Sequence, residues 1–354
     1  MILAWPQRAF ALTHARVHTQ PTTHATLAGF IIGLFFLKRL ATFVATLVAA
    51  SLVIFAVLDI LPGNAADVML GESATPEARQ ALIAKLGLDQ PAPLRYFAWL
   101  KGLSTGALGD SVSYSVPVAE LISERLVVTA PLAVMAMLLT SVFALTLGLY
   151  AASRHNRLGD VGVMAASQIG IAIPNFWFGI LLILLFAVKL QWFSAGGFPG
   201  WSEDAGGGGG GPWPAFKALL LPALALAVVQ AAILARITRS AVLDVMREDF
   251  VRSARAKGLS QRQVLWRHVL RNAFVPVLTV MGLQFANLLT GTVVIENVFS
   301  LPGLGRLVFQ AIANRDLIVV RNVVMLLAAA VIVINFVVDV LYVVIDPRLK
   351  GHAT

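Results

Sequence analysis

The feature that most limits what this chain can fold into is the run at residues 40–61, LATFVATLVAASLVIFAVLDIL, which carries a single acid, Asp59, near its end. A helix apolar on every side belongs either in the core of a large protein or in lipid. About 20 such residues, each rising about 1.5 Å, cross the ~30 Å hydrocarbon core of a bilayer. Five more runs follow, at 127–153, 161–188, 219–237, 274–294 and 323–345, and their number decides for lipid. Hydrophobic residues make up 58% of the 354 and charged residues 13%, a balance that excludes an ordinary soluble domain. The expected class is an all-α polytopic membrane protein with six transmembrane helices. With no cysteine, disulfides and thiolate metal sites are excluded.

Orientation follows from the basic residues. Residues 236–272 hold nine Lys/Arg against three acids, whereas 62–126 hold five against seven. Together with Arg154 and Arg157 in the turn after the second span, and Arg348 and Lys350 near the end, this predicts both termini in the cytoplasm. Lys38-Arg39 marks the cytoplasmic end of the first span. Residues 1–37, with an apolar stretch at 25–37 too short to cross alone, are expected to form a cytoplasmic or interfacial extension. The outer, periplasmic loop 62–126 carries a helix that opens at Thr75-Pro76-Glu77 and stops at Gly87. A second short amphipathic helix is expected near Leu94 to Leu100. The Gly206 to Gly211 run reads as a flexible linker.

Small residues let membrane helices approach closely. Ala223, Ala227, Ala231 and Ala235 recur every four residues in span four, as do Gly282, Ala286 and Thr290 in span five, and these seams predict tight bundling. Span three is interrupted at Ile173-Pro174-Asn175, where proline removes a helix hydrogen bond. The polar residues at membrane depth are mild: Gln168, Asn175, Gln230, Gln284, Asn287, Asn335 and Asp339. Of these, Asn175, Gln230, Gln284, Asn287 and Asn335 are candidates for a hydrated translocation path. Helix-to-helix hydrogen bonding is the equally simple alternative.

Several chemistries lack their residues. No lysine follows a glycine, so there is no Walker A loop to cradle ATP phosphates. One GxSxG occurs at Gly102 to Gly106, but a short helix precedes it where a nucleophile elbow needs a strand. His14 and His18 lack a third ligand, so no metal is expected. Apart from Asp59 and Asp339 near span ends, the spans lack the carboxylates, histidines and lysines of a proton relay, which places the energy source on another chain.

The most basic segment is DFVRSARAKGLSQRQVLWRHVLRNAFVP, residues 249–276, with six Lys/Arg. It predicts a short helix at 248–257, capped by Gly258, and a second helix from Ser260 to Asn272. Pinned between two spans, it lies against the membrane, which argues against nucleic acid. Lipid headgroups attract such charge but do not explain the small residues Ser253, Ala254 and Ala256 beside the glycine break. Those small residues give a narrow helix that fits a groove on a partner, with Arg252, Arg255 and Lys257 at the rim.

Residues Arg252 to Ser260, followed by Arg267 to Ala273 and Pro276, closely resemble the cytoplasmic "EAA" loop of ABC importer permeases. The chain is specifically similar to the dipeptide/oligopeptide/nickel permease family, first-subunit type, from about Lys38 to Lys350. Leu61-Pro62-Gly63, Leu86-Gly87-Leu88-Asp89, Gly109-Asp110-Ser111, Pro174-Asn175-Phe176-Trp177, Glu296-Asn297-Val298-Phe299, Pro302-Gly303-Leu304-Gly305 and Asp346-Pro347-Arg348 look like family signatures in family order.

This resemblance implies a type I ABC importer fold in the bacterial inner membrane, with a transmembrane domain over 38–350, a coupling loop over 238–273 and a tail at 351–354. It implies a second homologous permease, two cytoplasmic ATPase subunits that hydrolyse the ATP, and a periplasmic solute-binding protein. Arg252, Ser253, Ala254, Arg255, Ala256, Lys257 and Gly258 would then form the helix that enters the ATPase groove. Two departures stand: Arg252-Ser253-Ala254 replaces the general Glu-Ala-Ala, and residues 1–37 have no counterpart. Family members carry dipeptides, oligopeptides, nickel, glutathione or sugars, and peptides are the expected cargo. A self-sufficient carrier or channel is the alternative, and flux through this chain alone would reveal it. A membrane-anchored enzyme is disfavoured because Ser104 has no visible base.

Overall fold

The computed structural model describes residues 22–60, 70, 75–85, 87–203 and 210–345. Expectations for His14 and His18, Leu61-Pro62-Gly63, Leu86, Gly206 to Gly209, Asp346-Pro347-Arg348 and the tail 351–354 lie outside the described residues. The helices are α1 (Thr22–Ile60), α2 (Pro76–Lys85), α3 (Ala92–Thr105), α4 (Val118–Ser153), α5 (Leu158–Ala172) and α6 (Asn175–Leu182). They continue with α7 (Pro212–Val245), α8 (Asp249–Ala256), α9 (Gln261–Val264), α10 (Leu270–Val298), α11 (Leu304–Ala313) and α12 (Leu317–Ile345). Two π-helical turns, Ile183–Lys189 and Leu265–Val269, extend α6 and join α9 to α10. Among the described residues β pairing is limited to an isolated bridge between Asp110 and Pro117.

Five stretches are long and apolar enough to cross a membrane: Phe36–Ile60, Val118–Ser153, Pro212–Val245, Gln261–Val298 and Leu317–Leu341. The sixth is a bent pair, Leu158–Ala172 with Asn175–Lys189, whose halves meet at 100°. Proline explains the break. It disfavours helical backbone in the residue before it, and Ile173 is extended, with φ −87° and ψ 124°. Pro174 then opens α6 by accepting the Phe178 N–H at 3.0 Å.

Two helices have bounds that differ from the sequence expectation. α1 begins at Thr22, so residues 22–37 and the first span form one helix of 39 residues, about 58 Å at 1.5 Å per residue. No proline separates the short apolar stretch from the long one. The second loop helix does not stop at Asn272 either; it passes through the π turn into α10, and the Asn272 side chain donates to the His268 carbonyl at 2.7 Å.

The most extensive packing in the bundle is between α4 and α7. Ala223, Ala227, Ala231 and Ala235 are all buried along α7. Opposite them, a Cβ on Gly148 would sit 2.6 Å from the Thr238 Cβ and 2.7 Å from the Ala235 carbonyl oxygen, so the two backbones nearly touch. On α10, Gly282 fits against Val338 and Ala286 is buried, but Thr290 is exposed. α1 packs on α12 and is pinned near both ends of its apolar stretch. Arg39 meets Asp339 at 3.0 Å, and Asp59 meets Arg95 of α3 at 2.6 Å. The two acids nearest the span ends are thus ion-paired.

Candidate functional site

The basic loop opens on α8, whose faces divide cleanly. Val251 and Ala254, three residues apart, are buried against Val242, Val264, Val269 and Ala273. Phe250, Arg252, Ser253, Arg255, Ala256, Lys257 and Gly258 are exposed. Ala254, one of the small residues expected to meet a partner, is packed within this chain. Its spacing from Val251 turns it into the chain's own core, and its small size lets α8 lie close to α7 and α10. Arg252 makes only a long exposed contact with Asp249, at 3.5 Å. Arg255 and Lys257 have no ion-pair partner among the described residues.

The end of α8 is set by Gly258, at φ +84°, a left-handed conformation that costs an L side chain roughly 1–2 kcal/mol. Its N–H donates to the Arg255 carbonyl at 2.9 Å, and the Leu259 N–H donates to Ala254 at 3.4 Å. This is the paired glycine cap that satisfies the last carbonyls of a helix. Ser260 then opens the next helix with a reciprocal pair: the Gln263 N–H donates to its hydroxyl, and its own N–H donates to Gln263 Oε1. Two caps back to back hold the turn between α8 and α9 rigidly.

The five candidate path residues do not form one cluster. Gln284 is buried and donates from Nε2 to the Gln230 backbone carbonyl at 3.2 Å, while its Oε1 finds no donor. Asn175 stands at the break between α5 and α6, half-buried, with Oδ1 accepting the Phe176 N–H. Its Nδ2 lies near Gly291 of α10, where a Cβ would come within 3.4 Å. Asn335 on α12 has a buried Oδ1 without a donor, and Asn287 is exposed. The structure joins Gln284 to α7 and sets Asn175 beside α10, but places Asn287 outside the buried face.

Sequence reasoning missed three buried polar anchors. Glu296 is fully buried: Thr129 Oγ1 donates to it at 2.6 Å and the Gly305 N–H at 2.7 Å. The carboxylate sits at the N-terminus of α11, where free N–H groups favour an anion. A Cβ on Gly303 would lie 2.3 Å from the Glu296 Cδ, so this glycine makes room for the carboxylate. Asp316 accepts from the Ser111 hydroxyl at 2.6 Å and the Ser113 N–H at 3.0 Å, tying the loop between α3 and α4 to the start of α12. Asn322 accepts from Trp99 Nε1 at 2.9 Å. The signatures around Ser111 and Glu296 held the clue, since each sets a polar residue within a few positions of a glycine.

These features define a class: a polytopic helical membrane protein with a proline-broken span and, between two spans, a short rigidly capped helix that presents unpaired positive charge. Two family profiles match the chain. The binding-protein-dependent transport system inner membrane component covers residues 144–351, and its N-terminal membrane component covers 32–133. The chain is 41% identical over 314 residues to a peptide transport system permease of Brucella abortus, spanning 89% of this chain and 98% of the relative. It is 39% identical to the di/tripeptide transport system permease protein DppB of Pseudomonas aeruginosa, with the same coverage. It is 35% identical to the oligopeptide transport system permease protein AppB of Bacillus subtilis, spanning 89% and 99%. Among solved structures, a chain of the inward-facing MetNI methionine ABC transporter superposes with a TM-score of 0.52. At 19% identity over 64% of this chain and 96% of that one, it is evidence of a shared fold.

The chain belongs to the family of binding-protein-dependent transport system inner membrane components. It is a multi-pass permease subunit of an ABC importer, a class that works with ATPase subunits and a binding protein.

Proposed function

We propose that this chain is one of two homologous permeases that together carry di- or oligopeptides inward across a bacterial inner membrane, with both termini in the cytoplasm. The transmembrane domain takes in 38–350, with the loop 238–273 on the cytoplasmic side. ATP is hydrolysed on two separate subunits and not on this chain, and a periplasmic binding protein delivers the peptide. The peptide cargo draws its support from the naming of full-length relatives at 35–41% identity. The ATPase contact is α8, through Arg252, Ser253, Arg255, Ala256, Lys257 and the Gly258 turn. The observation that carries it is the division of α8 into a buried Val251–Ala254 edge and an exposed basic face without ion-pair partners beyond Asp249.

Gln284 and Asn335 support a hydrated path, because a buried carbonyl oxygen without a donor costs about 1–3 kcal/mol unless water or cargo supplies one. Asn175 and Gln230 belong to the same path. Asn287 faces away from the buried side of α10 and reaches the path only if a partner permease completes it.

The deciding experiment reconstitutes the full complex in proteoliposomes and follows uptake of a labelled dipeptide. Gly258→Pro forces φ near −65° where +84° is required and removes the N–H that caps Arg255. Uptake falls to background while the subunit still inserts, and Arg255→Glu weakens co-purification of the ATPase. Normal uptake with both variants would remove α8 from the ATPase interface. The ligand carried by the co-expressed binding protein, read by mass spectrometry, tests the cargo; a metal or sugar there overturns the peptide assignment.

A further inference from the structure

Asp160, at the start of α5, is 3% exposed, and neither the path nor the ATPase contact uses it. Arg239 of α7 holds it with both arms of its guanidinium, Nε to Oδ1 at 2.5 Å and Nη2 to Oδ2 at 2.7 Å. The Asn156 N–H donates to Oδ2 at 2.9 Å, and His155 Nδ1 lies 3.5 Å from the same oxygen and 3.2 Å from Arg239 Nη2. A bidentate guanidinium pair fixes orientation as well as distance, and here the carboxylate is buried, whereas the ion pairs of α1 are partly exposed.

The surroundings make the pair part of a rigid node. Gly148 of α4 abuts Ala235 and Thr238, within four residues of Arg239. A Cβ on Gly159 would lie 2.8 Å from the Tyr150 hydroxyl, so the first turn of α5 is packed against α4 as well. From Arg239, α7 runs on without interruption to Val245. The link to α8 is itself hydrogen-bonded: Arg247 donates to Asp244, Glu248 to Val245, and Val251 to Glu248. A push on α8 therefore reaches Arg239 through continuous hydrogen-bonded backbone. On the far side of the node, α5 ends at the 100° break before Pro174.

We propose that Asp160 is a positioning residue for transport: its pair with Arg239 locks α5 to the α7–α8 stem, so that movement of α8 carries α5 with it and is taken up at Ile173-Pro174. Hinges of this kind sit at element ends that absorb a backbone change between two rigid bodies. The inference rests on α8 being the ATPase contact.

The chain contains no cysteine, so paired spin labels can be introduced without removing native thiols. One pair, Ile169→Cys with Arg247→Cys, lies within the proposed rigid body. The other, Leu184→Cys with Arg247→Cys, spans the break. In the assembled complex in lipid nanodiscs, the first distance stays constant between nucleotide-free and ATP-trapped states, and the second changes. Asp160→Asn makes the first distance state-dependent and lowers dipeptide uptake about tenfold, within the usual range of coupling energies, while ATP hydrolysis stays within about twofold. Asp160→Glu, which keeps the charge, recovers part of the uptake.

A first distance that changes in the unaltered complex overturns the proposal, as does a second distance that does not. So does an Asp160→Asn complex whose uptake and hydrolysis fall together at an unchanged first distance. Should Asp160→Asn fail to assemble, the distances in the unaltered complex decide alone. Failure of the ATPase reading is separate: Arg255→Cys would not cross-link to the ATPase, whatever the two distances do. Failure of the cargo reading would abolish dipeptide uptake in the unaltered complex and leave the distances to decide.

Discussion

The most apolar stretches of α1 and α7 are nearly equal in mean hydropathy, yet 61% of that of α7 is buried within this chain and only 11% of that of α1. Hydropathy puts both in the membrane. What separates them is the profile each shows to its neighbours. α7 repeats alanine every four residues, and α4 comes close enough to press Gly148 on its backbone. α1 has alanines too, but Val44, Val48, Leu52, Val53 and Val57 stand exposed among them. Its contacts include Arg39–Asp339, Asp59–Arg95, the Phe43–Phe336 ring contact, the Ser51–Tyr96 hydrogen bond at 2.8 Å and a small cluster of Phe55 with Tyr96, Trp99 and Met325. In lipid, burial of an apolar helix comes from close packing, because the bilayer already satisfies its hydrophobicity.

The strongest way to break this contrast is Gly148→Leu. A side chain there has nowhere to go but the Ala235 carbonyl and Thr238, and overpacking against backbone costs about 3 kcal/mol or more. The purified subunit should lose its sharp thermal transition in detergent. A smaller loss is expected from Thr129→Val, which leaves one Glu296 oxygen short of a donor and the Leu304 N–H without its acceptor. Each unmet buried group costs about 1–3 kcal/mol, so the melting temperature should fall clearly while the helical circular-dichroism signal is kept.

On α1 the effects shrink. Asp59→Ala removes a partly exposed ion pair and should cost no more than about 1 kcal/mol. Ala49→Leu, at an exposed position of the same helix, should change the melting of the isolated subunit by less than about 0.5 kcal/mol. A large loss at Ala49 in the isolated subunit would mean that α1 is packed as α7 is, and the contrast would fail.

Much of this architecture was legible in the sequence. The runs of apolar residues, the break at Pro174 and the glycine after α8 each act over a few residues, and local steric rules suffice to read them. The burial of Ala254 was legible for a related reason. Its i, i+3 relation to Val251 places both on the inward edge of α8. Glu296, Asp316 and the Asp160–Arg239 pair were not legible. Their partners are 167, 205 and 79 residues away, and no local pattern brings Thr129, Ser111 or Arg239 to them.

By itself, then, the sequence determined that the chain lives in a membrane, roughly where its helices cross, and that a basic, glycine-capped helix lies between two of them. Only the tertiary structure decided which apolar helix is central, which face of α8 is presented, and how buried carboxylates are satisfied. Hydropathy, caps and proline breaks are properties of neighbouring residues, while burial and pairing depend on helices that meet across the whole length of the chain.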